Sequence, residues 1–194
     1  MREFDLLKDY PPPKHPRKVG KSLRKIEHRI VASYRDKELY DGDRNHGYGG
    51  FNYDGRWKQI VKFMCEEYGL NNNSCFLQLA CEKGFLLHDL KEYRPKMEIH
   101  GVELSNYAVN NSMQSVKKFI KNSSYSNLNC EDNKFDFVLG IGVVYAFNLT
   151  ECIKSLKEIQ RVSKGNSFIT LASYENEDDY WLFKNWTLLD NLIL

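Results

Sequence analysis

The apolar positions of this chain change period as it runs on from Trp57, and the changes mark out its elements. Ile60, Val61, Met64 and Tyr68 fall on one helical stripe, which Gly69 is placed to end. After the polar turn Asn71-Asn72-Asn73 comes Cys75-Phe76-Leu77-Gln78-Leu79, the short apolar run of a buried strand. A helix is expected from Gly84 to Glu92 and a second strand over residues 98–103. Ser105 is suited to cap a helix passing through Ala108, Val109 and Val116 to Ile120. The turn Asp132-Asn133 announces a strand over 135–139. Asn148, with Glu151 three residues on, resembles a capping box opening a helix that carries Ile153, Leu156, Ile159 and Val162 and stops at Lys164-Gly165-Asn166. A strand over 167–173 and a helix over 178–194, with Trp181, Trp186, Leu189 and Leu192, complete the series.

Strand and helix therefore alternate, the pattern of a mostly parallel sheet with helices on both faces. In such sheets ligands sit outside the carboxyl ends of the strands, where the strand order reverses. The first 56 residues read differently. Pro11-Pro12-Pro13 and Pro16 suggest an extended lead-in rather than core, and Ile26, Ile30 and Val31 give 22–39 a helical period. Residues 40–56 have neither period; Gly42, Gly47, Gly49, Gly50 and Gly55 supply turns, and Tyr48, Phe51 and Tyr53 supply stacking surface, as in a loop that covers a ligand. The chain divides into an N-terminal extension with a Gly/aromatic lid, 1–56, and a core, 57–194.

Composition sharpens this picture. At 194 residues, 42% hydrophobic and 13% aromatic, the chain can build one packed domain. It has no apolar run of membrane-spanning length and no apolar stretch behind its first charges, so a cytoplasmic protein is expected. The five cysteines contain no Cys-x-x-Cys pair and the histidines, at 15, 28, 46, 88 and 100, supply no ligand spacing; reduced thiols and no metal are expected. A net charge of +2 names no polyanionic partner. The basic run 14–37 reads as a solvated face or, more sharply, as a clamp for an anionic group such as phosphate. It carries no nucleic-acid recognition motif, and nucleic acid is not an expected partner.

The chemistry concentrates after the first strand. Ala80-Cys81-Glu82-Lys83-Gly84 is a strand-to-helix turn that aims backbone N–H groups at a ligand, and Gly84 lets the helix pack close. Glu103 closes the second strand 19 positions after Gly84, where an acid can bind a ribose hydroxyl pair. The turn lacks the G-x-G-x-x-G pattern of nicotinamide enzymes.

These stretches resemble class I S-adenosylmethionine-dependent methyltransferases, in particular small-molecule enzymes with a Tyr-Gly-Gly-Tyr-like segment before a Rossmann-like core. The matching residues are Asp41-Gly42-Asp43-Arg44, Gly47-Tyr48-Gly49-Gly50-Phe51, Tyr53-Asp54-Gly55-Arg56-Trp57, Lys83-Gly84-Phe85-Leu86-Leu87, Gly101-Val102-Glu103-Leu104-Ser105, Asn133-Lys134-Phe135-Asp136 and Leu156-Lys157-Glu158-Ile159. The resemblance implies a cofactor site of Leu79, Ala80, Cys81, Glu82, Gly84, Glu103, Leu104, Ser124 and Ile141 for S-adenosylmethionine. It implies substrate contacts from Tyr48, Tyr53 and Arg56, and His46, Tyr48, Tyr53 and Tyr145 as candidates for a general base. The implied acceptor is a small metabolite or sugar-type molecule.

Departures from the family pattern favour a second reading. Gln78 stands for an acid in the first strand, Ala80 and Glu82 for small loop residues, Ser124 and Ala172 for acids ending later strands, and 140–144 is apolar where relatives are polar. The sequence also stops before the family's final antiparallel strand pair, which leaves three alternatives: a homo- or hetero-oligomeric partner covers the sheet edge, the sequence is cut short, or the gene is a shortened copy. On this reading the chain is a catalytically inactive subunit that pairs with or regulates a complete homologue.

Overall fold

A computed structural model describes residues 5–12 and 24–189. Two short helices, α1 (Ile26–Ser33) and α2 (Lys37–Asp41), precede α3 (Lys58–Glu67). Then follow β1 (Cys75–Leu79), α4 (Phe85–Tyr93), β2 (Glu98–Glu103), α5 (Asn106–Asn110), β3 (Ile120–Asn122), β4 (Phe137–Gly140), α6 (Leu149–Val162), β5 (Ser167–Ile169) and α7 (Glu177–Trp186). The five strands are all parallel in the order β3-β2-β1-β4-β5, so the order reverses between β1 and β4. This is the Rossmann-like α/β sheet the alternation implies.

The alternation of side chains along β1 builds two cores. Phe76 turns to one face with Ile60, Met64, Leu86, Leu87 and Phe137. Cys75, Leu77 and Leu79 turn to the other with Val138, Ile159 and Val162. A parallel strand buried on both faces is apolar throughout, and every residue of β1 is buried. Gly101 marks close packing on β2: a Cβ there would lie 2.7 Å from Cys81 Sγ and 2.8 Å from Leu87. Among the described residues, no helix is long and apolar enough to cross a membrane.

Several elements differ from their sequence-based expectation. The helix of 22–39 is broken at Arg35, which takes a left-handed φ of 51°, and its stripe faces outward, with Ile26 64% exposed. The lead-in contributes to the core, because Leu6 is fully buried in the Phe76 cluster. The helix capped by Ser105 ends at Asn110 rather than Ile120. Asn111 Nδ2 donates to the Tyr107 carbonyl and Ser112 Oγ to that of Val109, side-chain bonds that compete with helix continuation, and Ile120 opens β3 instead. On α6 the stripe turns: Ile159 and Val162 are buried, but Ile153 and Leu156 are exposed. β5 is three residues long, forms the sheet edge, and ends before Thr170 and Leu171. The expectations for Pro13, Pro16, residues 14–23 and Leu192 lie outside the described residues.

Candidate functional site

The bend after β1 and the end of β2 meet at the reversal point of the sheet. Ala80 and Glu82 both adopt φ of 51°, and Gly84 follows at 76° as the N-cap of α4. Such angles are strained for alanine and glutamate and natural for glycine. Gly84 serves a second need, since a Cβ there would stand 2.8 Å from Ile120 Cδ1 and 2.9 Å from Val116 Cγ2. Cys81 N donates to the Val102 carbonyl at 3.3 Å, tying the bend to β2. Burial pushes the Cys81 thiol far up, so it acts as an apolar packing residue.

Glu103 is 1% exposed. Its Oε2 accepts from the Glu82 amide at 2.9 Å and its Oε1 from the Ser105 amide at 2.8 Å. Burial raises its pKa, against the stabilising pull of these amides and of Arg35. Glu82 lies close by and is pushed up to about 8, first by burial, with the Glu103 charge adding to it and the hydrogen bond from Tyr48 opposing it. Two carboxyl groups sharing one desolvated corner cannot both ionise cheaply.

The segment 40–56 covers this corner. Tyr48 N donates to the Leu39 carbonyl and Gly50 N to that of Tyr40, folding the loop back on α2. Gly47 permits that return, because a Cβ there would lie 2.0 Å from the Leu39 carbonyl oxygen. Tyr40, Tyr48, Phe51 and Phe85 form a chain of ring contacts, and the Tyr48 hydroxyl donates to Glu82. Asp41 is the hub: it accepts from Lys83 Nζ at 2.7 and 2.8 Å, from Phe51 N at 3.0 Å and from the Tyr107 hydroxyl at 2.8 Å. Partial burial works against the Asp41 charge, yet these donors hold its carboxyl below the usual range. Lys83, 7% exposed, spends its third donor on the Phe51 carbonyl at 3.0 Å.

Of the candidate bases, only Tyr48 touches the bend. Tyr53 donates to Asp89 Oδ1 at 2.6 Å, and burial with this acceptor raises its pKa well above that of an ordinary phenol. His46 pairs with Glu38 at 3.0 Å beside the His28 ring, and Tyr145 stands edge-on to Phe183. Arg56 is forked onto Asp54 and donates to the Tyr10 hydroxyl at 3.0 Å. Leu79 is fully buried and Ile141 packs half-buried against the Phe76 core.

Leu104 and Ser124 come together in a cavity of about 200 Å³ whose wall includes Tyr125, Ser126, Phe147, Glu151 and Ser155. Ser155 is 1% exposed and its hydroxyl has no partner.

Sequence reasoning missed four contributors. Asp41 and Lys83 stand inside matched stretches, but only the fold joins them across 42 positions. Arg35, in the basic run, acts on Glu82, Glu103, Tyr40 and Tyr125 rather than facing solvent alone. Glu151 reads from sequence as a capping residue. Other members of the run have structural partners: Arg24 donates to the Arg44 and Asn45 carbonyls and Arg29 to that of Lys184. At the opposite end of the sheet, register brings Cys75, Glu98 and His100 within 4.8 Å, which spacing along the chain conceals; Lys134, 3.4 Å from Glu98, already supplies a cation there.

A family model described as "Methyltransferase domain" matches residues 70–192. Among solved structures, an S-adenosyl-L-methionine-dependent methyltransferase so described from Methanococcus maripaludis aligns at 15% identity with a TM-score of 0.52, covering 80% of this chain and 67% of its own. A SAM-dependent methyltransferase from Aquifex aeolicus aligns at 20% identity and TM-score 0.45, covering 72% and 68%. The MccD protein aligns at 26% identity and TM-score 0.45, covering 53% of this chain and 47% of its own, so the chain spans about half the length of that relative. No curated protein matches. With the family model spanning more than half of the sequence and the parallel sheet in place, the chain belongs to the methyltransferase domain family, whose general cofactor is S-adenosylmethionine.

Proposed function

We propose that the chain is an S-adenosylmethionine-dependent methyltransferase for a small metabolite or sugar-type acceptor, with the segment 40–56 as its lid. The observation that carries the reading is the junction of the bend after β1 with Glu103, at the reversal point and beneath an aromatic loop. The cofactor's fit rests on two buried polar atoms that lack a partner. One is Gln78 Oε1, one residue from the end of β1; the other is Ser155 Oγ in the cavity beside Leu104. Buried polar atoms are seldom left unpaired without a ligand or water to meet them.

On this reading Leu104 and Ser124 hold the adenine, Glu103 the ribose, and the bend from Leu79 to Gly84, with Ile141 nearby, the remainder. When bound, the cofactor supplies an electrophilic methyl group on a sulfonium. The chain's own part is to orient the acceptor and exclude water. Tyr48, Phe51 and Phe85 provide the apolar cover, and the Asp41–Lys83 pair fixes it in place. Glu82 is the adjoining proton acceptor, held in place by the Tyr48 hydroxyl. Glu82, with its pKa near neutrality, is better poised than the phenols to accept a proton from an acceptor hydroxyl. Lid opening frees the Glu82 side chain from Tyr48.

One observation favours the second reading, a non-catalytic subunit that pairs with a complete homologue: both Glu103 oxygens are already engaged by backbone amides in a corner closed to solvent. The exposed edge strand β5 offers such a subunit a place to pair. Calorimetric titration with S-adenosylmethionine separates the two. Measurable, weak binding is expected, followed by S-adenosylhomocysteine release when small hydroxylated metabolites are screened. No binding, with co-purification of a longer homologue, favours the second reading.

A further inference from the structure

Asp89, on α4, is 2% exposed. Its Oδ1 accepts from the Tyr53 hydroxyl at 2.6 Å, and its Oδ2 is buried without a partner. A buried carboxyl oxygen is seldom left bare without a ligand to meet it. The helix brings two more ligand-bearing side chains beside it. His88 stands four positions before Glu92 and Asp89 three, so one turn of α4 gathers the three residues. One ligand atom from each lies within 4.8 Å of the others. Two of the three are carboxylates, so Cys and His spacing does not reveal the group.

Neighbouring contacts already hold these side chains in place. His88 Nδ1 is 2.8 Å from Ser115 Oγ, and its Nε2 is 3.7 Å from Glu92 Oε1. With Nδ1 donating its proton to Ser115, Nε2 carries a free lone pair on the Glu92 side. The Tyr53 ring stands edge-on to the imidazole, at 90° and 5.1 Å between centroids. Hydrogen bonds on the remote ring nitrogen and the remote carboxylate oxygen are what orient ligands at metal centres. Tetrahedral Zn²⁺ sets N and O ligands about 3.4 Å apart, so His88 and Glu92 need only a small side-chain rotation. Lys58 Nζ is 3.7 Å from Glu92 Oε2, but both side chains are more than half exposed and the pair is readily displaced. The Cys75–Glu98–His100 cluster is built differently: His100 is spent on Glu98 at 2.6 Å, and Lys134 neutralises the carboxylate.

We propose that His88, Asp89 and Glu92 form a binding site for a divalent transition metal, Zn²⁺ by preference, with at least one coordination position left to water. One imidazole with two carboxylates suits Zn²⁺ better than Mg²⁺, which takes oxygen ligands in octahedral geometry. The metal neutralises Asp89 and Glu92 and, through the Tyr53 bond, pins the end of the segment 40–56 to α4. The site does not depend on S-adenosylmethionine binding.

The test is Zn²⁺ titration of metal-stripped protein in competition with a chromophoric chelator, together with thermal melts. Wild-type protein is expected to take up a single Zn²⁺ that excess Mg²⁺ does not displace, and to melt higher with it. Glu92→Gln, a change at an exposed side chain, is expected to lose both the uptake and the rise in Tm. Asp89→Asn, which keeps an acceptor for Tyr53, is expected to do the same. Ser115→Ala is expected to weaken Zn²⁺ about tenfold. Cys75→Ala is expected to bind as the wild type does, which separates this site from the thiol cluster. No uptake by the wild type, uptake that survives in Glu92→Gln, or uptake lost in Cys75→Ala overturns the proposal. Should Asp89→Asn fail to fold, Glu92→Gln and Ser115→Ala decide it.

Discussion

The two ends of the candidate pocket are built on opposite principles. At the bend after β1, the charged and phenolic groups are bonded within the chain: Lys83 to Asp41 and Phe51, Glu103 to two amides, and Tyr48 to Glu82. At the cavity beside Leu104, Ser124, Ser126 and Glu151 line open space and Ser155 is left unpaired. The contrast shows where a ligand must compete with the protein and where it need not. On the proposed reading, a cofactor completes one end and displaces the segment 40–56 from the other.

The largest expected effect breaks the saturated end. Lys83→Met removes a buried cation and leaves Asp41 with its remaining donors, a loss of about 2–3 kcal/mol given that Asp41 is partly exposed. Urea unfolding measures it. Adenine binding at the other end should be unchanged, since that cavity has no share in the Asp41 network. Gly84→Ala comes next, at about 2 kcal/mol, because the new methyl meets Ile120 and Val116 and the residue keeps a left-handed φ.

Smaller, and sharper as a diagnostic, is the pH dependence of the bend. Glu82 titrates near 8 in the folded chain, against roughly 4.3 when unfolded. Between those values the folded state binds the extra proton. Stability is therefore greatest below the unfolded pKa, falls as pH rises through this window, and levels off above about 8. Glu82→Gln should flatten that slope and stabilise the protein at pH 8 by about 1–2 kcal/mol, after allowance for its partial exposure. Thermal melts of both proteins across pH 5–9 (about the range that spans the titration) give the comparison.

Much of the scaffold was legible in the sequence because its signals are local. The apolar run of β1, the stripe of α3 with Gly69 after it, and the caps at Ser105 and Asn148 each depend on neighbours in the chain. β3 gave no such signal, having only three residues, of which Ile120 alone is buried. Ile120 was expected to end a helix, and side-chain bonds from Asn111 and Ser112 decided otherwise. The bend, Gly84 and Glu103 were picked out by residue type and spacing. Their engagement was not, because it is set by long-range contacts: Asp41 with Lys83, Tyr48 with Glu82, Ser126 with Glu151. Glu82 illustrates the limit. Sequence placed it in the cofactor site in place of a small loop residue, whereas the fold raises its pKa and sets it to accept from Tyr48.

The account turns on whether the lid and Glu82, rather than a missing site, govern access at the bend. Glu82→Gly removes the Tyr48 partner and places glycine at a φ of 51°. Calorimetric titration of S-adenosylmethionine into this variant and the wild type is the direct measurement. About tenfold tighter binding by Glu82→Gly is expected, with weak binding by the wild type. Failure of both proteins to bind would contradict the account.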